Sequence, residues 1–191
     1  MSSNQNKTLN QLTAIELVTM LKNKECSPSQ IVDACLEQIR LRNPQIKAWK
    51  FLDENIIQKQ LRSLGSIEQK SVLAGIPMAI KDNFDTFDMP TEYGTNIYPG
   101  HQTDTDSASI KILRQAGILF LGKTVTSEFA GPFPGPTLNP HDITRTPGVS
   151  SMGSAASVAD YMVPLSNGTQ TGGSIIRPAS LCGIYGYKGS F

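Results

Sequence analysis

The hydrophobic pattern of this chain changes its period near residue 72, and this change limits the folds that the chain can adopt. Residues 10–42 carry apolar side chains at helical spacing, which predicts two helices. Beyond residue 72, two short apolar runs predict buried strands, over residues 72–81 and 118–121, and residues 107–116 between them predict a helix. This alternation predicts an α/β fold, with a mixed sheet flanked by helices.

The two N-terminal helices have recognisable ends. Thr13 followed by Glu16 predicts a capping box at the start of the first helix. Ser27-Pro28 predicts the start of the second helix, because serine caps a helix and proline suits its first turn, and Asn43-Pro44 predicts its end. Further predictions are a mostly helical stretch over residues 53–70, a long loop over 131–153, a short helix over 155–162 and a strand or near-strand over 181–187.

Composition and charge exclude several classes of protein. The 191 residues are 39% hydrophobic and 17% charged, which is typical of one globular domain with a core. A net charge of +1 gives no electrostatic basis for direct nucleic-acid binding, and no apolar stretch approaches the ~20 residues that span a bilayer. The polar N-terminal residues lack the apolar run of a secretory leader, so we do not expect secretion, and Cys26, Cys35 and Cys182 lack metal-ligand spacing. We therefore expect a cytoplasmic protein with reduced thiols and without a metal or cofactor.

Residues 117–124 match a phosphate-loop pattern and offer an alternative interpretation. Their sequence, Gly-Ile-Leu-Phe-Leu-Gly-Lys-Thr, fits G-x4-G-K-[S/T], which wraps phosphates in nucleotide-binding proteins. The four residues between the glycines are large and apolar, and the preceding segment is a predicted helix, whereas a phosphate loop follows a strand. The pattern therefore favours a buried strand. If a bound nucleotide protected Lys123 from acetylation, that result would favour the phosphate-loop interpretation.

The most specific chemical pattern consists of Ser174, Ser150 and Lys81. Ser174 follows two glycines, so it can lie on a sharp turn among free N–H groups, which an acyl-transfer nucleophile needs for its oxyanion. Ser150 and Lys81 provide a route for the proton of the nucleophile, so no histidine is required. A Gly/Ser-rich run is also typical of a flexible linker, and a lysine after a strand often lies at the surface. The residues alone leave both interpretations open.

Five segments resemble motifs of the amidase signature family, in the family's order and spacing. They are Gly75–Phe84, Gly122–Ala130, Asn139-Pro140, Arg145–Ser154 and Gly168–Ala179. The resemblance covers residues 72–191 and implies an amidase-signature-like core that hydrolyses a carbon–nitrogen bond through an acyl-enzyme.

The resemblance also implies a role for each site residue. Ser174 would be the nucleophile, Ser150, which the family holds with a cis peptide bond, would relay the proton, and Lys81 would be the general base. The backbone N–H groups of four residues would form the oxyanion hole: Thr171, Gly172, Gly173 and Ser174 itself.

Two positions near Ser174 depart from the common family pattern. Many members carry an aspartate where this chain has Gln170, and an arginine two residues after the nucleophile, whereas Arg177 lies three after it. This version resembles malonamidase-like enzymes, in which the shifted arginine meets a substrate carboxylate, a group that suits a guanidinium fork. We therefore expect Arg177, together with Ser151, to bind a small amide that bears a carboxylate. Pairing of Arg177 with a core carboxylate such as Glu128 is the alternative.

Family members are usually more than twice as long as this chain. We therefore expect a single amidase-like domain, with a helical region over residues 1–70 and a portion of the catalytic core over residues 71–191, from which the C-terminal half of the family fold is absent. Open strand edges and apolar faces then predict association, as a homodimer or with another chain. Two functions stay open. One is an amidohydrolase for linear amides, and the other is a non-catalytic remnant or subunit-like module, comparable to the family's amidotransferase subunit, which delivers ammonia to misacylated tRNA.

Overall fold

The computed structural model describes residues 7–66 and 71–190, which contain six α-helices and four strands. The helices are α1 (Ala14–Lys22), α2 (Pro28–Ile46), α3 (Glu54–Ser63), α4 (Ala108–Gln115), α5 (Met152–Ala159) and α6 (Ile176–Leu181). The strands are β1 (Trp49–Leu52), β2 (Pro77–Lys81), β3 (Leu119–Thr124) and β4 (Leu165–Ser166). Short 3-10 turns lie at Leu9–Gln11, Leu64–Ser66 and Glu128–Ala130. Within these described ranges, no helix is both long and apolar enough to cross a membrane.

The strands form one mixed sheet in the order β1–β3–β2–β4, which confirms the predicted α/β class. β2 runs parallel to β3 and to β4, and β1 runs antiparallel to β3. Every residue of β2 and β3 is buried, and α2, α3 and α5 pack against these two strands. Strands buried on both faces carry continuous apolar runs, so both strands could be predicted from the sequence. Their bounds differ from the prediction, because residues 72–75 form turns and β2 begins at Pro77, and because β3 continues past residue 121 to Thr124.

The predicted starts of the first two helices are confirmed. The Thr13 hydroxyl accepts a hydrogen bond from the Glu16 N–H, and the Ser27 hydroxyl accepts one from the Gln30 N–H, both at 3.3 Å. Each capping box is completed by the return bond from the serine or threonine N–H to the side chain three residues on. Such caps are local interactions, so the sequence alone specifies them.

The predicted end of α2 is wrong, because the helix continues past Asn43-Pro44 to Ile46. A proline in the last turn removes only one intrahelical hydrogen bond. Lys47 then takes a left-handed conformation (φ 57°), and its N–H donates to the Asn43 carbonyl at 2.8 Å. The Asn43 side-chain oxygen accepts hydrogen bonds from the next two N–H groups, those of residues 48 and 49. The asparagine therefore supports a helix end beyond the proline.

The phosphate-loop interpretation of residues 117–124 is wrong. Most of the motif lies in β3, where its backbone groups pair with the neighbouring strands. The side chain of Lys123 is fully buried, and its Nζ donates to the Phe84 carbonyl at 2.8 Å and to Thr91 Oγ1 at 2.5 Å. Gly122 is required by close packing, since a Cβ there would lie 2.2 Å from the carbonyl oxygen of Phe51 in β1. The lysine and the second glycine of the motif therefore contribute to packing and hydrogen bonding in the core.

Three other predictions from the sequence need adjustment. The helical stretch over residues 53–70 corresponds to α3 and the turn at Leu64–Ser66, and residues 67–70 lie outside the described residues. The short helix predicted over residues 155–162 lies instead at Met152–Ala159. The strand predicted over residues 181–187 is wrong: α6 extends to Leu181, and β4 rather than this segment occupies the free edge of β2.

Candidate active site

Lys81, Ser150 and Thr169 meet at the end of β2. Lys81 is the last residue of β2, Ser150 precedes α5, and Thr169 follows β4. Lys81 Nζ lies 2.6 Å from Ser150 Oγ and 2.7 Å from Thr169 Oγ1. The side chains of Lys81 and Ser150 are buried, with 0% and 2% of their surface exposed. Parallel strands that end at the same edge of a sheet bring these segments together, as is common for sites in α/β folds.

Burial controls the charge of Lys81. It lowers the pKa of the Lys81 ammonium group from its ordinary value to about 8, because a buried cation loses its hydration. The carboxylate next to it in the sequence, that of Asp82, is turned to Lys123 Nζ at 3.9 Å and accepts a hydrogen bond from the Glu92 N–H at 3.1 Å. The described partners of Lys81 Nζ are neutral hydroxyl groups, so a neutral amine is accessible near neutral pH.

The backbone around Ser150 is held in an unusual conformation. The resemblance implies a cis peptide bond at Ser150, but all described peptide bonds are trans, and Ser150 instead has a left-handed φ of 62°. The Ser150 carbonyl accepts a hydrogen bond from the Ser127 N–H at 3.3 Å. Gly148 has φ 105°, and a Cβ there would lie 2.8 Å from the Cα atom of Pro178, so only glycine fits. The segment that carries Gly148 and Ser150 therefore packs closely on α6.

Ser174 lines the same cleft as Ser150. This cleft has a volume of about 430 Å³, and its walls come from the loops around residues 130–132, 149–150 and 171–177. Among the described hydrogen bonds, none joins Ser174 to Ser150, and the N–H groups of residues 171–174 donate to no acceptor within the described chain. Those four N–H groups are free to meet a ligand, as the predicted oxyanion hole requires.

The side chain of Gln170 closes the loop that carries Ser174. Gln170 Oε1 accepts hydrogen bonds from the N–H groups of Ile175 and Ile176, at 2.9 and 3.0 Å. Beyond this closure, the Arg177 N–H donates to the Gly173 carbonyl at 2.9 Å. The sequence singled out Gln170 only as a departure from the family pattern, and its contact with the loop depends on the folded backbone.

Arg177 lies at the rim of the cleft with its side chain exposed. An added Cβ on Gly173 would lie 3.6 Å from Arg177 Nη2, which places the guanidinium group beside the loop of Ser174. No ion pair to Arg177 occurs within residues 7–66 and 71–190. The alternative partner Glu128 instead accepts a hydrogen bond from Thr95 Oγ1 at 2.8 Å. A free cation therefore faces the cleft.

Ser151 does not join this group. Its side chain is buried, and its hydroxyl donates to the Thr169 carbonyl at 3.4 Å rather than facing the cleft of Ser174. This contact supports the segment that carries Thr169. The geometry does not favour the expected contact of Ser151 with substrate, because Ser151 is not among the residues that line the cleft shared by Ser150 and Ser174.

Two asparagines contact Lys81 or its partner Thr169, and the sequence did not predict these contacts. Asn167 Oδ1 accepts a hydrogen bond from the Lys81 N–H at 2.8 Å, and Asn83 Nδ2 donates to Thr169 Oγ1 at 2.9 Å. Asn83 lies two residues after Lys81, so its position beside the lysine could have been noticed. Asn167 is 86 positions away from Lys81, and no local signal connects them.

A larger cleft elsewhere offers no comparable chemistry. It has a volume of about 580 Å³ and lies beside α3, β3 and Arg114. Arg114 is paired with Asp106 at 2.7 Å and with Asp88 at 3.0 Å, and its guanidinium group stacks 4.6 Å from the ring centre of Phe87. Its cation is fully used inside the protein, so the smaller cleft at Ser174 is the better candidate for an active site.

Comparison with known proteins gives consistent matches. A sequence model of the protein family described as Amidase matches residues 30–191. A glutamyl-tRNA(Gln) amidotransferase subunit from Acidothermus cellulolyticus is 40% identical over 190 residues, covering 94% of this chain and 37% of that relative.

Two solved structures also superpose on most of the fold. One is the inhibitor-bound form of a vestigial protein complex connected with the origins of an s-triazine catabolic enzyme, with a TM-score of 0.86 and 31% identity over 92% of this chain and 41% of that chain. The other is a 6-aminohexanoate cyclic dimer hydrolase, with a TM-score of 0.85 and 26% identity over 93% and 38%. The chain thus spans 37–41% of the length of these proteins.

Proposed function

The chain belongs to the amidase signature family, and from this we propose that Lys81, Ser150 and Ser174 hydrolyse the carbon–nitrogen bond of an amide through an acyl-enzyme. The observation that carries the proposal is the 2.6 Å contact between Lys81 Nζ and Ser150 Oγ, beside a cleft that Ser174 also lines. A base, a relay hydroxyl and an accessible second hydroxyl are what a serine nucleophile without histidine requires.

The proposed reaction moves one proton along these residues. Neutral Lys81 accepts the proton of Ser150 while Ser150 accepts that of Ser174, and Ser174 Oγ attacks the amide carbon. The carbonyl oxygen takes the electron pair and accepts hydrogen bonds from the free N–H groups of residues 171–174. Lys81 then returns the proton through Ser150 to the nitrogen, the carbon–nitrogen bond breaks, and ammonia or an amine leaves. Water attacks the resulting ester by the same route and releases the acid.

Labelling with a fluorophosphonate tests the proposal directly, because the reagent forms a covalent adduct only with an activated serine. We expect intact-mass analysis to find one adduct on the wild-type chain and none on Ser174→Ala. Ser180→Ala, which changes an exposed serine on α6, is the matched control and should retain the adduct. An adduct that survives in Ser174→Ala would show that another residue is the nucleophile.

Arg177, which has no ion-pair partner within residues 7–66 and 71–190, supports a substrate that bears a carboxylate. We expect Arg177→Met to raise KM about 10- to 100-fold for such an amide, because a charge-assisted hydrogen bond contributes roughly 1.5–3 kcal/mol. A neutral amide of similar size should be hydrolysed with unchanged KM. Steady-state kinetics on the matched pair of amides measures this difference.

The control for this prediction is Arg145→Met, since Arg145 is also exposed and lies 3.7 Å from its nearest acidic partner, Asp142. It should leave both KM values unchanged. Equal effects of Arg177→Met on the charged and the neutral amide would contradict carboxylate recognition.

Exposed apolar side chains support a second candidate function, a non-catalytic module that acts through association. Ile176, Leu181, Tyr185 and Tyr187 are all exposed, on α6 or just after it. Concentrations of exposed apolar side chains are typical of protein interfaces. A folded chain that gives no fluorophosphonate adduct, with a solution mass above that of the monomer, would favour this function over amide hydrolysis.

A further inference from the structure

The loop that carries Ser174 has little packing of its own to hold it. Thr171 and Gly172 are exposed, and an added Cβ on Gly172 would meet no atom within 4 Å. Two consecutive glycines also give this segment more backbone freedom than other residues would. A conformation that keeps Ser174 in the cleft therefore has to be maintained by hydrogen bonds at the ends of the loop.

Gln170 provides two of these hydrogen bonds from one atom. Its Oε1 accepts from the N–H groups of Ile175 and Ile176, the two residues directly after Ser174. A side-chain carbonyl oxygen has two lone pairs, so both are used by this contact. The side chain thus closes a ring around Thr171, Gly172, Gly173 and Ser174.

This closure is selective for particular N–H groups. It satisfies the two N–H groups that follow Ser174, whereas those of residues 171–174 keep no acceptor within the described chain. An amide oxygen makes both hydrogen bonds without bringing a formal charge to the loop.

We infer that Gln170 is a positioning residue for the nucleophile. Through the backbone of Ile175 and Ile176, its side chain holds the loop in the conformation that presents Ser174 to the cleft and leaves the N–H groups of residues 171–174 free. The inference rests on the proposed function of Ser174, but the hydrogen-bonded closure can be measured without any reaction.

The experiment compares four proteins by amide hydrogen exchange and by the rate of fluorophosphonate labelling: wild type, Gln170→Leu, Gln170→Glu and Gln60→Leu. Leucine has nearly the volume of glutamine but no acceptor, whereas glutamate keeps an acceptor in the same place. Gln60 is a matched control, because its amide also makes two backbone hydrogen bonds, both to Phe120 and at 2.8 and 2.9 Å, far along the chain from Ser174.

In Gln170→Leu, we expect the Ile175 and Ile176 amides to exchange at least about tenfold faster than in wild type, because local opening no longer breaks a hydrogen bond. The labelling rate of Ser174 should fall about 10- to 100-fold, since small displacements of a nucleophile have effects of this size. Gln170→Glu should restore the protection of both amides. Gln60→Leu should leave the labelling rate and the two amides unchanged.

The possible failures are distinguishable. Unchanged exchange at residues 175 and 176 in Gln170→Leu would overturn the closure, and faster exchange with an unchanged labelling rate would overturn its role in positioning Ser174. A labelling rate reduced equally by Gln60→Leu would also overturn that role, since the loss would then follow from general destabilisation. A wild-type chain with protected amides but no adduct would refute the proposed function of Ser174 and, with it, the positioning role, while leaving the closure itself established.

Discussion

Lys81→Met is expected to lower the rate of fluorophosphonate labelling at Ser174 by about 10²–10⁴-fold, the range that a general base contributes. Methionine fills a fully buried site of this length without a group that can accept a proton. The loss should appear without loss of the fold, because the described partners of Lys81 Nζ are two hydroxyl groups rather than a buried carboxylate. Labelling rates from intact mass, with circular dichroism for the fold, measure both.

The pH dependence identifies the lysine as the group responsible. Burial lowers the pKa of Lys81 to about 8, and only the neutral amine accepts a proton. The wild-type labelling rate should therefore rise about tenfold per pH unit below pH 8 and become level above it. In Lys81→Met this rise should disappear. Lys111→Met, at an exposed position of α4, should keep the wild-type profile. A wild-type midpoint near 10, or a midpoint that survives in Lys81→Met, would contradict the assignment.

Lys123→Met is expected to destabilise the chain by roughly 3–5 kcal/mol, as removal of one partner of a buried ion pair generally does. Lys123 and Asp82 are almost fully buried, at 0% and 1% exposed, and their charged atoms are 3.9 Å apart. Burial already raises the pKa of Asp82 to about 6, although the nearby Lys123 cation lowers it. Without that cation, the carboxylate has to be protonated or remain buried without its partner. Chemical denaturation measures the change in the free energy of unfolding.

The sign of the pH effect follows from Asp82. In folded Lys123→Met, the pKa of Asp82 should lie above 6, so protonation removes the unpaired charge at low pH. The loss in the free energy of unfolding caused by Lys123→Met should therefore grow as the pH rises from 5 to 8. Addition of Asp82→Asn should recover part of the loss. The matched control is Lys50→Met, which removes a more exposed ion pair with Glu92 and should change stability by about 1 kcal/mol or less. Similar losses in Lys50→Met and Lys123→Met would contradict this account.

Features that depend on neighbours in sequence could be predicted. The capping boxes at Thr13 and Ser27 join residues three apart, and the strands β2 and β3 are apolar runs that are buried on both faces. The same reasoning rejected the phosphate loop, because large apolar residues between two glycines suit a strand. The end of α2 was mispredicted because the side chain of Asn43 stabilises a turn beyond Pro44, which the usual rule for proline does not include.

By itself, the sequence determined the α/β class, the burial of β3 and the residues of the family motifs, since these follow from hydrophobic period and from the order of short patterns. Only the tertiary structure decided which of them touch. It brought Lys81 to Ser150 and to Thr169, 69 and 88 positions away, joined the Ser151 hydroxyl to the Thr169 carbonyl, and turned Gln170 back on the loop of Ser174. These contacts depend on where parallel strands end and how loops cross that edge, and a linear pattern carries no distance between segments so far apart.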